Sequence, residues 1–225
     1  MFRTLFPSIL VLAIAVGGSA IWLQNRNDIS NLAHIQGLDE VTDVQATTEA
    51  PEIVEMTIGA ENAPVTIVEY ASFTCPHCAT FHNDTFKKLK ADYIDSGKVK
   101  FIYREVYFDR YGLWASMVAR CGGQEKFFGI ADLIYKSQSE WTRAGEPAAI
   151  VDELRKIGRL AGLDNETLDE CLKDGAKAEA LVAWYTENSK EDDISSTPSF
   201  VIDGKKHSNM SYADMKELLD DALAG

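Results

Sequence analysis

The chain has 225 residues, 46% of them hydrophobic, and carries a formal net charge of −13. The hydrophobic content excludes wholesale disorder, and so acidic a body repels phosphate backbones, which argues against nucleic acid as a partner. Four cysteines are present, two of them in Cys75-Pro76-His77-Cys78.

Met1, Phe2 and Arg3 lead into an apolar run from Leu5 to Leu23, interrupted by Pro7, Ser8, Gly17, Gly18 and Ser19. One positive charge, the apolar stretch and the small residues Gly18 and Ala20 fit a signal peptide over 1–23. The run is close to the roughly 20 residues that cross a bilayer, so an uncleaved membrane anchor fits as well. Either reading places the rest of the chain outside the cytoplasm. Residues 24–51 mix Asn, Asp, Glu, Thr and Ala with few large apolar side chains and read as a flexible acidic linker, with His34 solvated. What remains has the size of one ordinary domain.

Val54, Met56 and Ile58 alternate with Glu55 and Thr57 as a half-buried strand, and Gly59 to Pro64 turn the chain. The next strand, Val65 to Tyr70, is apolar on both faces and belongs at a sheet centre. Glu69 closes it, six residues before Cys75. It is expected to be partly buried and to accept or relay a proton for thiol chemistry, the alternative being a strand-end carboxylate facing solvent.

Cys75 and Cys78 are one helical turn apart, close enough to close a small disulfide ring. A helix starting here presents unpaired N–H groups and positive potential to Cys75, which favours its thiolate. Pro76 suits the first helical turn, where its missing donor costs nothing. His77 is expected to stabilise the thiolate further. Phe81, Phe86, Leu89, Tyr93 and Ile94 then recur at roughly helical spacing up to a stop at Ser96-Gly97, with His82 packing on or capping that helix. Val99, Phe101 and Tyr103 follow as a third strand, and so short a strand-helix-strand unit implies a parallel pair with a right-handed crossover.

Between Tyr111 and about Lys190 the pattern is helical: 114–120, 124–138, 148–161, 165–173 and 176–188, with Asp164 capping the fourth. The aromatic residues Trp114, Phe127, Phe128, Tyr135 and Trp184 read as core. Cys121 and Cys171 each lie on the apolar face of a helix. In an exported protein they read as a structural disulfide, worth about 4 kcal/mol for a loop of this length, with two separate buried thiols as the alternative.

Strand pattern returns at Ser199 to Ile202, turned by Asp203-Gly204 into a hairpin that leaves His207 solvated. Thr197-Pro198 stands just before it. A proline there needs an edge, a strand start or a special turn, and a cis Thr197-Pro198 bond supplies the last. Such a turn leaves the Thr197 backbone free to pair with an extended substrate. A final helix starts at Ser211, with Met215, Leu218, Leu219, Ala222 and Leu223 as its apolar stripe.

The segment Val65-Thr-Ile-Val-Glu-Tyr-Ala-Ser-Phe-Thr-Cys-Pro-His-Cys78, the helical insert and Ser196-Thr-Pro-Ser-Phe-Val-Ile-Asp-Gly204 together resemble the DsbA family of exported thiol-disulfide oxidoreductases. The resemblance covers about residues 52–225. It implies an α/β, thioredoxin-like fold over 52–110 and 192–225, with an inserted all-helical subdomain over 111–191. It further implies Cys75 as the nucleophile, Cys78 as the resolving thiol, Pro198 as the cis-proline facing them and Glu69 as the acid beneath. The implied activity is the introduction of disulfides into exported, periplasmic proteins, with no cofactor or metal beyond the redox-active Cys75–Cys78 pair. Reduced exported proteins are the implied substrates, and a quinone-linked membrane partner of the DsbB type the implied reoxidant. The protein itself would be periplasmic, soluble after cleavage or tethered to the inner membrane through residues 5–23.

Thr197 departs from the valine that precedes the cis-proline in the best-known oxidases, which keeps an isomerase or reductase as the alternative. Outside redox chemistry, C-x-x-C with His82 four residues on is half of a zinc site, but the chain supplies no second pair. A chaperone-like module using the cleft beside Pro198 is the third reading. Haem attachment fails, since Ala79 stands where C-x-x-C-H requires histidine.

Overall fold

The computed structural model describes residues 50–225; the segment read as signal peptide or anchor, and the linker up to residue 49 with His34, lie outside the described residues. Five strands, β1 (Met56–Ile58), β2 (Val65–Ala71), β3 (Val99–Glu105), β4 (Ser199–Ile202) and β5 (Lys205–Ser208), form one sheet in the order β1-β3-β2-β4-β5. β2 and β3 run parallel and the other pairs antiparallel. The two-faced apolar pattern of β2 thus ends in the middle strand of the sheet, with Val65 and Ile67 buried. β1 is shorter than its alternation suggests: Val54 precedes it and is 51% exposed.

One continuous helical run, α1 (residues 76–94), connects β2 to β3. It is α-helical over Pro76–Thr80 and Phe86–Leu89 and widens into π-helical turns over Phe81–Thr85 and Lys90–Ile94. Phe86 N–H bonds to Phe81 O, and Asp95 N–H to Lys90 O, five residues back in each case. Phe81 and Phe86 are also five residues apart, as are Leu89 and Ile94, and an α-helix would swing each pair off a common face. The wider turns keep them facing the sheet: the Phe81 ring lies 4.8 Å from Phe200 and the Phe86 ring 4.9 Å from Phe101.

Between β3 and β4 lie six helices, α2 (Arg110–Cys121), α3 (Gly123–Lys136), α4 (Gln138–Trp141), α5 (Pro147–Leu160), α6 (Asn165–Lys173) and α7 (Gly175–Glu191). α2 starts four residues earlier than periodicity indicates, because Asp109 Oδ1 accepts from the N–H groups of Tyr111 (2.8 Å) and Gly112 (2.9 Å). Asp164 caps α6 through Thr167 N–H at 2.8 Å. The helix expected over 124–138 is broken at Ser137, which leaves helical geometry at φ −102° and ψ 12°, so Gln138 opens a new short helix. α8 (Tyr212–Ala224) closes the chain with Ser211 Oγ accepting from Asp214 N–H.

The insert shares its core with the sheet. Tyr135 and Phe127 meet Phe73 and Tyr103, with ring centroids 5.1 Å apart for Phe73–Tyr135 and 5.4 Å for Tyr103–Phe127. Each fully buried ring of this kind contributes about 1.5–3 kcal/mol. A disulfide joins Cys121 at the end of α2 to Cys171 in α6 across 50 residues of chain. Replacing both cysteines by alanine is expected to cost about 4 kcal/mol on the loop-entropy model. Thiol counting on the denatured, oxidised protein should accordingly find none free, and two free thiols traced to Cys121 and Cys171 would remove the bridge.

Candidate active site

β2 hands the chain to a tight turn in which Cys75 N–H bonds to Ser72 O at 3.1 Å and the hydroxyls of Ser72 and Thr74 meet at 3.1 Å. Thr74 Oγ1 donates to Asp109 Oδ2 at 3.0 Å while the other Asp109 oxygen caps α2, so the turn is fastened to the insert. Cys75 is the N-cap of α1, and Pro76 occupies its first turn.

Across from this turn, the Thr197-Pro198 bond is cis, and Cys75 Sγ lies 3.5 Å from Thr197 O. Cys75 is nearly buried at 7% exposure and Cys78 wholly so, and both are free thiols. The two sulfurs are in very different states. A hydrogen bond from the Cys78 thiol brings the Cys75 thiol down from the ordinary 9.0 to about 5, against the opposing effect of burial. Thr197 and the backbone N–H groups of Cys78 and His77 add to that effect. Burial pushes the Cys78 thiol far up, and its hydrogen bond to Cys75 and the charge of Glu69 act in the same direction.

The His77 side chain is exposed, and its backbone N–H contributes to the lowering of the Cys75 thiol. Glu69 is fully rather than partly buried, and its Oε2 lies 2.8 Å from His82 Nε2. His82 packs as expected, against Phe86 of its own helix at 4.9 Å, and the contact to Glu69 comes in addition. Its ring, also buried, stacks on Tyr135 at 4.4 Å, and Tyr135 and Tyr103 share a 2.6 Å hydrogen bond. Burial raises both phenols well above their ordinary range, so both stay protonated. Glu69 Oε1 is buried with no hydrogen-bond partner among the described residues. His207, expected to be solvated, is half-covered opposite Phe200. Among the described residues, no group of three or more His, Cys, Asp or Glu is placed to hold a metal ion, and no helix is long and apolar enough to cross a membrane.

One residue escaped the sequence reading. Gln138, buried at the start of α4, donates from Nε2 to Phe73 O at 2.8 Å and to Cys75 O at 2.9 Å. Nothing in its sequence neighbourhood marks it, because both of its partners are backbone carbonyls more than 60 residues away.

A dithiol at a helix N-terminus, facing a cis-proline across a mixed sheet that carries a helical insert, defines the class of thioredoxin-fold redox domains. The thioredoxin family model matches residues 52–221. Among similar structures, α-DsbA1 from Wolbachia pipientis superposes with a TM-score of 0.70 at 26% identity, covering 79% of this chain and 94% of that one. The chain belongs to the thioredoxin family, in its DsbA-type branch with the helical insert. A Rickettsia bellii protein provisionally named protein-disulfide oxidoreductase is 33% identical over 170 residues, 75% of this chain and 64% of its own. Disulfide bond formation protein D of Bacillus subtilis is 27% identical over 183 residues, 75% of this chain and 77% of its own. The chain spans between 60% and 64% of the length of the Rickettsia relatives it matches.

Proposed function

We propose that the chain is an exported protein thiol-disulfide oxidoreductase that introduces disulfides through Cys75 and Cys78. The observation that carries this reading is the placement of the two thiols, Cys75 at the N-cap of α1 and 3.5 Å from the Thr197 carbonyl beside the cis-proline, with Cys78 wholly buried behind it. The relatives named for disulfide chemistry support it.

In the oxidised enzyme a substrate thiolate attacks Cys75 Sγ, forming a mixed disulfide and breaking the Cys75–Cys78 bond. Cys78 leaves as a thiolate and, being strongly basic in its buried site, takes up a proton. The Glu69–His82 pair is the acid–base group behind it. The substrate's second thiolate then attacks its own sulfur in the mixed disulfide, releasing Cys75 as a stable thiolate. The substrate loses two electrons and two protons; the enzyme keeps the electrons and one proton, and the other proton passes to solvent. Low basicity makes Cys75 a good leaving group in the last step. Reduced exported proteins are the substrates, and a quinone-linked membrane partner of the DsbB type reoxidises the pair. Residues 5–23 supply export to the periplasm, as a cleaved signal or as an anchor in the inner membrane.

Two measurements test this. Cys78→Ser should accumulate mixed disulfides with reduced substrate on Cys75, and their absence would invert the assigned order of the thiols. A reduction potential near about −120 mV supports the oxidase, one near about −180 mV the isomerase, and one near about −270 mV would make the enzyme a reductase. Thr197 is the residue that favours the isomerase as a second reading, since it stands where the best-known oxidases carry valine and its carbonyl oxygen lies 3.5 Å from the reactive sulfur.

A further inference from the structure

Besides Asp109, the helical insert reaches the redox turn through a second side chain that the exchange steps leave unused. The Gln138 carboxamide is buried, and both hydrogens of its Nε2 are spent on the carbonyls that flank Thr74, those of Phe73 and Cys75. Cys75 O also accepts Ala79 N–H at 3.2 Å, the first hydrogen bond of α1, so the carbonyl that starts the helix is held from two directions. Gln138 is itself fixed. Its carbonyl accepts from Thr142 N–H (3.0 Å) and Thr142 Oγ1 (2.6 Å). Trp141, fully buried one turn on, donates from Nε1 to Ile134 O at 3.0 Å.

The peptide planes around Thr74 decide where the Cys75 sulfur points relative to the first N–H groups of α1. Two good donors on those carbonyls hold the planes in one orientation, and a buried carbonyl that loses its donor costs about 1–3 kcal/mol or turns to find another. We propose that Gln138 is a positioning residue through which the helical insert aims the Cys75 sulfur at the N–H groups of His77 and Cys78. The inference rests on the reading of Cys75 as the reactive thiol. It gives the insert a direct influence on the site: any shift of α4 on substrate docking moves the donor that holds the nucleophile's turn.

The test uses the full chain, with the Cys75 titration followed by thiolate absorbance and the rate of alkylation at fixed pH. Gln138→Leu removes the donors at similar volume. It should raise the midpoint by about one pH unit and slow alkylation near pH 5 several-fold. The titratable groups around the turn, Cys78, His77, Glu69, His82 and Asp109, are all retained in that variant. An unchanged midpoint in a folded Gln138→Leu protein overturns the proposal. Should that variant fail to fold, the isosteric Gln138→Glu carries the same test, with a larger upward shift expected because a carboxylate presents acceptors and charge to the same carbonyls. Thr142→Val, which removes the Oγ1 bond to Gln138 O and leaves the carboxamide alone, is the stability control. An equal midpoint shift in it would reduce Gln138 to ordinary packing. If wild-type Cys75 titrates near 9, the reading of the reactive thiol fails instead, so the two failures are distinguishable.

Discussion

Cys75→Ser is expected to abolish dithiol oxidation entirely while leaving far-ultraviolet circular dichroism and thermal midpoint close to those of the parent, because the hydroxyl fits the same nearly buried position. The companion measurement is the absorbance of the reduced parent near 240 nm, which should titrate with a midpoint of about 5. The folded value is depressed, so the stabilisation of the reduced form is complete above pH 9 and is lost as the pH falls through 5. At pH 7 the two units above the folded midpoint correspond to about 2.7 kcal/mol. For a two-electron couple that is about 60 mV toward stronger oxidation. Roughly 150 mV separates a thioredoxin-like reductant from the strongest oxidants of this fold, so thiolate stabilisation alone does not span the range. The rest must come from elsewhere in the site, and the complete burial of Cys78 is placed to contribute. A midpoint near 9, or residual dithiol oxidation in Cys75→Ser, would remove Cys75 from its assigned role.

The largest stability effect is expected at the junction of β3 and α2. Arg120 grips Glu105 with two hydrogen bonds, Nε to Oε1 and Nη2 to Oε2, both 2.6 Å, and its Nη1 donates to Val54 O at 2.8 Å. The two side chains are 4% and 1% exposed, and the guanidinium lies over the rings of Trp184 (5.4 Å) and Phe127 (5.8 Å). Arg120→Leu leaves Glu105 buried with only Ser116 Oγ as a donor, at 2.9 Å. Removing one member of a buried pair costs about 3–5 kcal/mol, a large share of the roughly 5–15 kcal/mol that holds a domain together. Replacing both by leucine should recover much of the loss, because two buried charges are exchanged for apolar packing. Urea unfolding of the single and double variants measures this. A single-variant loss under about 1 kcal/mol would show that water or rearrangement satisfies Glu105, contrary to its burial.

What the sequence made legible follows from how local each signal is. The strand-helix-strand unit, the caps at Asp164 and Ser211 and the helical stretch between β3 and β4 all rest on patterns a few residues long, and all stand in the structure. The five-residue gaps from Phe81 to Phe86 and from Leu89 to Ile94 were readable as π-helical turns, but were absorbed into an approximate α-helical period. The contact of His82 with Glu69 was hidden for a related reason, since that partner lies on a different element. Gln138 was hidden for a further reason: backbone carbonyls carry no sequence identity, so a side chain that serves them looks like any other polar residue.

β2 sits between β3, which follows it closely in the chain, and β4, which arrives only after the whole insert. Cys75 and Thr197 are 122 residues apart in sequence, though they touch in space. During synthesis from the N-terminus the reactive pair therefore emerges long before the strand that completes its surroundings. An emerging chain carries Cys75 and Cys78 as ordinary thiols, open to the same oxidants and partners as any client protein. The pair becomes distinct from ordinary thiols only when the last strands have docked. Contacts this distant in sequence are slow to close, so the site is completed late in folding.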